Sequence, residues 1–331
     1  MTNTSGKAIS RRLPIDTKYT IRETITRNEY VLTEDTQTVE LKQDEITSLL
    51  FENEKIKGYL EITKIDSNTK LPLENTVFGI YNENNELIQE ITTNKEGKAT
   101  SDLLPIGKYY AKELKTSSPF FLLNQNSYEF EIIKNHETVP LTIENDATDI
   151  KVDIEKTGSV EVKPNEIVNY SFSNIANVSN IYLDTFSWID YIPTAYVRLE
   201  TMTTGTWNQA LKYRVLYKTN KSEEYIVFKD NLSTQENYSL DFTSLKLAED
   251  EYVVETYFDF GKVDVGFKEA ISPTMNCRVL ESLEDGQTFT NITKTIGIYY
   301  DILVDHISDW TTVVHVPEEP KEELPRTGYF T

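Results

Sequence analysis

A near-repeat constrains this chain more than any other feature. NTSGKAISRRLPIDTKYTIRE, residues 3–23, returns as NKEGKATSDLLPIGKYYAKE at 94–113. Gly6, Lys7 and Ala8 match Gly97, Lys98 and Ala99, and Pro14-Ile15 matches Pro105-Ile106, an offset of 105 − 14 = 91. Phe51-Glu52-Asn53 meets Ile143-Glu144-Asn145 at 143 − 51 = 92. A period of that size is one small β domain, whereas solenoid units are shorter.

The local pattern is strand. Residues 58–65, 76–81, 108–114, 128–133 and 139–145 alternate or run apolar, with Thr, Tyr, Ile and Val enriched. Turns are expected at 82–85 and 94–97, and short helical turns only at 44–50 and 242–247. Residues 58–148 read as a complete domain, and 1–57 as the C-terminal part of a similar domain whose first strands are missing. Residues 149–317 do not repeat this unit. Strands are expected there at 150–155, 167–172, 196–201, 211–218, 225–229, 251–258, 288–295 and 311–316, which make a larger Ig-like β-sandwich. Residues 318–331 are a Pro- and Glu-rich tail, expected to be extended.

Composition narrows the chemistry. With 33 Lys+Arg against 54 Asp+Glu the net charge is −21, which repels nucleic acid and anionic membrane surfaces. One cysteine, Cys277, precludes an intramolecular disulfide and a Cys-built zinc site. His136, His306 and His315 lie far apart in sequence, which argues against a histidine metal site or triad. Twelve glycines leave no Gly-rich phosphate loop. No metal, no cofactor and no conventional enzyme are therefore expected. Residues 1–30 lack the apolar stretch of a secretory leader, and no run of 18 apolar residues occurs. The sequence is expected to be truncated at both ends.

Strand parity places polar residues on apolar faces. Leu60, Ile62 and Lys64 share one face; so do Tyr109, Ala111 and Glu113, and likewise Val139, Leu141, Ile143 and Asn145. The partial copy echoes this with Tyr19, Ile21 and Glu23, and with Leu49, Phe51 and Asn53. A strand-end lysine can snorkel to water and an asparagine there can cap a turn. Three such residues in one domain point instead to shared burial. A lone buried lysine costs several kcal/mol, so it needs a partner or a covalent fate.

GYLEITKIDSNTKLPLENTVFGIYN, then LPIGKYYAKEL, then a closing strand ending Ile143-Glu144-Asn145, resembles the CnaB-type (SpaA-like pilin, prealbumin-like) domain of Gram-positive surface proteins. The resemblance covers 58–148 fully and 1–57 partially. It implies a spontaneous Lys–Asn isopeptide bond between Lys64 and Asn145, assisted by Glu113 as catalytic acid. Desolvation there favours a neutral amine nucleophile and an acid that hydrogen-bonds the carboxamide. Glu23 and Asn53 are then orphans, because their lysine would lie upstream of Met1. The implied fold class is all-β: tandem Ig-like or prealbumin-like β-sandwiches, the N-terminal one incomplete.

In the larger domain Ile150, Val152, Ile154 and Lys156 share a face, as do Phe186, Trp188 and Asp190, and Phe289 with Asn291. DIEKTGSVEVKPNEIVNYSFSNIANVSN resembles the Ig-like repeat of bacterial surface proteins. CnaA-like relatives carry an Asp-assisted Lys–Asn bond, which implies Lys156, Asn291 and Asp190 here. The alternative is a salt-bridged Lys156 with Asp190 in a turn. Residues 203–207 either bear a binding surface or bury Trp207. Arg278, not Gln, follows Cys277, so a Cys–Gln thioester is not supported.

Leu324-Pro325-Arg326-Thr327-Gly328 matches the sortase motif LPxTG. It implies cleavage after Thr327 and transfer to a peptidoglycan cross-bridge amine, hence a place in the Gram-positive cell wall. The hydrophobic span and basic tail that normally follow are not in the sequence. Trp310, Val314, Val316 and Pro317 resemble a pilin strand bearing a polymerising lysine, but Glu318 follows Pro317 and Lys321 is a weak substitute. The chain thus reads as an anchored stalk or pilin-related subunit, with sortase, peptidoglycan and other pilin subunits as partners. The alternative is an adhesin whose 149–317 domain binds a host matrix protein or glycan.

Overall fold

A computed structural model describes residues 1–317. The chain divides into two compact units after Ala147. Among the described residues the regular structure is all β apart from one 3₁₀ turn.

The first unit opens with β1 (Lys18–Arg22) and β2 (Thr36–Glu40), an antiparallel ribbon. No residue of 1–57 is buried, so the partial copy carries no core of its own. The helical turn expected at 44–50 does not form. Ile46 and Leu50 are exposed, and a short helix without a packed face is not stable.

The strands that follow are β3 (Lys57–Asp66), β4 (Val77–Asn82), β5 (Leu87–Thr92), β6 (Lys98–Thr100), β7 (Leu104–Pro105), β8 (Gly107–Lys115), β9 (Ser127–Ile132) and β10 (Thr138–Asn145). They form two sheets. One has the order β10-β3-β6 with β7 also on β3, and the other β5-β4-β8-β9. Leu60, Ile62 and Ile143 of the first meet Phe78, Ile80, Ala111 and Phe130 of the second in one core. The strands β3 and β10 pair in parallel, Lys64 opposite Ile143 and Asp66 opposite Asn145. A parallel pair requires a long crossover, and here the rest of the domain supplies it.

The second unit comprises β11 (Val152–Gly158), β12 (Glu161–Val162), β13 (Ile167–Asn177), β14 (Leu183–Tyr191), β15 (Val197–Thr203), β16 (Thr206–Trp207), β17 (Lys212–Thr219), β18 (Ser222–Ser233), β19 (Ser239–Asp241), β20 (Val253–Val263), β21 (Glu269–Ile271), β22 (Thr274–Val279), β23 (Thr288–Tyr299) and β24 (Ile302–Val314). The helical turn expected at 242–247 is the 3₁₀ turn Phe242–Ser244. A five-stranded sheet, β11-β13-β22-β15-β19, packs on a seven-stranded one, β12-β24-β23-β14-β20-β17-β18, and one core cluster draws on both.

Trp188 centres that core, 4.6 Å from the ring of Phe172 and 4.4 Å from that of Phe258. Trp207 is buried and stacks on Phe267 at 5.1 Å, so 203–207 bury their tryptophan rather than display it. Strand β24 is far longer than the expected 311–316. It joins β23 through Tyr300 and Asp301, both at positive φ (44° and 63°), as the tightest hairpin turn needs.

Candidate functional site

Lys64 ends the apolar stripe of β3 and is fully buried. Its Nζ donates to Asn145 Oδ1 on β10 at 2.5 Å and lies 3.0 Å from Glu113 Oε2 on β8. Asn145 Nδ2 in turn donates to Glu113 Oε1 at 2.6 Å. The two carboxyl oxygens thus face the amine and the amide nitrogen at once. The triad joins the two sheets, since β3 and β10 belong to one and β8 to the other. The Phe78 ring, 5.9 Å from Nζ, closes it from water. Burial pulls the Lys64 amine below the usual lysine range, partly offset by the hydrogen bond and charge of Glu113. Gly97 is required beside this strand: it sits at φ +72°, and a Cβ there would lie 2.4 Å from the Lys64 carbonyl oxygen.

A second cluster has the same logic with different strands. Lys156 on β11 contacts Asn291 Oδ1 on β23, and its Nζ is 2.5 Å from Asp190 Oδ2 on β14. Asn291 Nδ2 donates to Asp190 Oδ1 at 3.1 Å. All three residues are buried, and Asp190 lies within β14, which excludes its placement in a turn. The Tyr170 and Phe172 rings each lie 4.6 Å from Nζ. Burial lowers the Lys156 amine and raises the Asp190 carboxyl, while each partner's charge opposes the other's shift. Burial also pushes the Cys277 thiol up, so the lone cysteine is an inert core residue.

Sequence reasoning missed Thr293. It is buried, and its Oγ1 accepts from Trp188 Nε1 at 2.7 Å and donates to the Ile189 carbonyl at 2.8 Å, which pins β14 to β23 beside Asn291. The available signal was parity, because Phe289, Asn291, Thr293 and Thr295 all point inward.

In the partial copy Glu23 Oε2 and Asn53 Oδ1 are buried without a hydrogen-bond partner, and Asn53 Nδ2 donates to Thr26 Oγ1 at 3.1 Å. Glu23 makes no ion pair among the described residues. Leu324, Pro325, Arg326, Thr327 and Gly328, and also Lys321, lie outside the described residues. Among the described residues no group of three or more His, Cys, Asp or Glu is placed to hold a metal, and no helix is long and apolar enough to cross a membrane.

Comparison with known proteins adds the following. Residues 1–55 and 58–147 match the family described as SpaA, prealbumin-like fold domain. Over 75 residues, 23% of this chain, the sequence is 43% identical to the trypsin-resistant surface T6 protein of Streptococcus pyogenes serotype M6, of which it spans 13%. The TIE protein of Bacillus anthracis is similar over 77% of this chain and 41% of its own, at 22% identity and a TM-score of 0.38. BcpA, the major pilin subunit of Bacillus cereus, is similar over 78% of this chain and 69% of its own, at 15% identity and a TM-score of 0.29.

Proposed function

We propose that this chain is a structural, pilin-related subunit of the Gram-positive cell surface, stabilised by autocatalytic Lys–Asn isopeptide bonds and attached to peptidoglycan by sortase. The observation that carries the reading is the recurrence of one constellation, a fully buried lysine, carboxyl and asparagine, in two sandwiches of different topology. The prealbumin-like family match and the similarity to the T6 surface protein support the surface location.

The chemistry follows from the contacts. A neutral Lys64 Nζ attacks Asn145 Cγ; the Nζ–Cγ bond forms and the Cγ–Nδ2 bond breaks. Glu113 Oε2, beside the amine, takes the proton that Nζ loses. Glu113 Oε1, beside Nδ2, supplies the proton with which that nitrogen leaves as ammonia. Held contact between amine and amide replaces an encounter, the largest source of acceleration for such a step. Asp190 plays the same part between Lys156 and Asn291. Each bond forms once, so this is self-modification and not turnover.

Intact-mass measurement tests the reading. The parent chain is expected to be lighter than its sequence by two ammonia molecules, and Lys64→Ala and Lys156→Ala each by one. An unmodified parent mass would sink it. The anchoring step has its own test: incubated with sortase and an amine nucleophile, the chain should lose the residues after Thr327 and gain the amine, and Thr327→Ala should not.

A titration separates amine from amide. In Asn145→Ala, Lys64 stays an amine held below its usual range by burial. Its unfolded form then binds more protons than its folded form, between the depressed value and the ordinary lysine value of 10.5. Urea-unfolding stability of that variant should therefore rise with pH up to that value and fall below it. The parent, whose nitrogen is amide, should lack this dependence.

A further inference from the structure

The two crosslinks divide their units differently. In the first, Asn145 ends β10, so the bond closes on the unit's last strand. In the second, Asn291 stands near the start of β23, and everything from Ile292 to Val314 follows it. On the reading above, tension between the ends of the second unit passes from Lys156 through the bond to Asn291. It then runs down β23, around Tyr300-Asp301 and back up β24. Residues between Lys156 and Asn291 are bypassed, but the β23–β24 hairpin stays in the load path.

The geometry of that hairpin favours opening one rung at a time. Asn291 lies opposite Trp310 and Thr288 opposite Val313, so the pulled end and the anchored residue sit side by side at the open end. Such loading breaks ladder bonds in succession, whereas the parallel β3–β10 pair would have to shear all of its bonds together. The outer side of β24 is held lightly. Its backbone pairs β12 only at Val313 and Val314, helped by Trp310 Nε1 and Thr312 Oγ1 donating to the Ser159 carbonyl; toward β11 it is held by side chains, Ser308 Oγ accepting from the Lys156 amide at 3.0 Å and His306 facing Asp153 at 2.7 Å. From Ile302 to Asp309 most side chains are exposed, Leu303 by 58% and Ile307 by 55%, so little apolar area resists peeling. The two-residue turn gives the strand a local start for re-forming.

We propose that β24, Ile302–Val314, is a reversible mechanical strap; β23 stays in place, because it pairs β14 from Ile292 to Ile298 and Thr293 pins it there. Under tension it peels from the second unit behind the Ser159–Val162 latch, while the crosslinked remainder stays folded, and it zips back when tension falls. The proposal rests on the Lys156–Asn291 bond.

Force spectroscopy on the full chain tests it, with handles on cysteines introduced as Asp149→Cys and Pro317→Cys; native Cys277 is fully buried and will not compete. In molecules whose mass confirms the bond, the expected event is one reversible lengthening of about 80 Å: roughly 3.5 Å for each freed residue of β24, plus the length of β23 as the pull point moves from its start to the turn. Moving the second handle to Thr290→Cys, one residue before the anchor, should abolish it. Crosslinked molecules that reach handle rupture with no such step would overturn the strap and leave the bond standing. A single lengthening of about 550 Å in the parent, matching Lys156→Ala, would show the bond absent and overturn both.

Discussion

Asn145→Ala is expected to lower the melting temperature of the first unit by about 20–35 °C. The substitution removes the bond while leaving Lys64 and Glu113 paired at 3.0 Å, so it isolates the crosslink from the ion pair. Lys64 and Asn145 stand 81 residues apart. Tying two such positions together removes about 4–5 kcal/mol of unfolded-state freedom on the chain-entropy account. Each kcal/mol shifts the melting point of a domain this size by about 4–8 °C. Lys64→Ala should fall further, because it also leaves the Glu113 carboxyl buried without its ammonium, a loss of about 3–5 kcal/mol. Calorimetry on the three proteins checks the order. A variant Asn145→Ala that melts within a few degrees of the parent would mean that no covalent bond is present to lose.

The site residues were legible because a strand writes its buried face into alternate positions. The alternation that carries Leu60 and Ile62 inward carries Lys64 with them. Parity alone does not assign chemistry, however. Asp66 lies on the same stripe and is also buried, yet its carboxylate accepts from the amides of Asn68 at 2.7 Å and Thr69 at 3.1 Å, a turn-capping role. What separates the two residues is the partner across the sheets, and partners come from topology. The parallel pairing of β3 with β10 leaves no local mark on the sequence, since residues 67–137 intervene.

Strand β24 was foreshortened for a different reason. Asp305, His306, Ser308 and Asp309 dilute its apolar content, because most of the strand faces water and is held by the β23 ladder. Its length is a backbone fact, set by the hairpin turn and the register it imposes. The aromatic rings over Lys156 were equally hidden: Tyr170 and Phe172 of β13 meet it only once β11 pairs with β13 in one sheet, Lys156 opposite Phe172.

The second unit should respond to loss of its lysine in a pH-dependent way. Lys156→Met keeps most of the side-chain volume but removes both the bond and the amide N–H that faces Asp190. The bond spans 135 residues, worth about 5 kcal/mol on the same chain-entropy account. A buried carboxyl that loses its donor costs about 1–3 kcal/mol more. Together these approach the whole stability of an ordinary domain, about 5–15 kcal/mol. Burial raises the Asp190 carboxyl, and in the variant neither a Lys156 charge nor an N–H from that side chain pulls it back. A carboxyl raised in the folded state favours folding below its unfolded value and loses that advantage as pH climbs through the raised one. Lys156→Met is therefore expected to keep its second unit folded near pH 4–5 and to become protease-sensitive by about pH 8. Adding Asp190→Asn removes the charge that must be buried, so the double variant should regain protease resistance at the higher pH while its mass still lacks the ammonia loss of the second bond. Equal protease sensitivity of the single and double variants at both pH values would show that Asp190 carries no buried charge, and would remove it from its part in the chemistry.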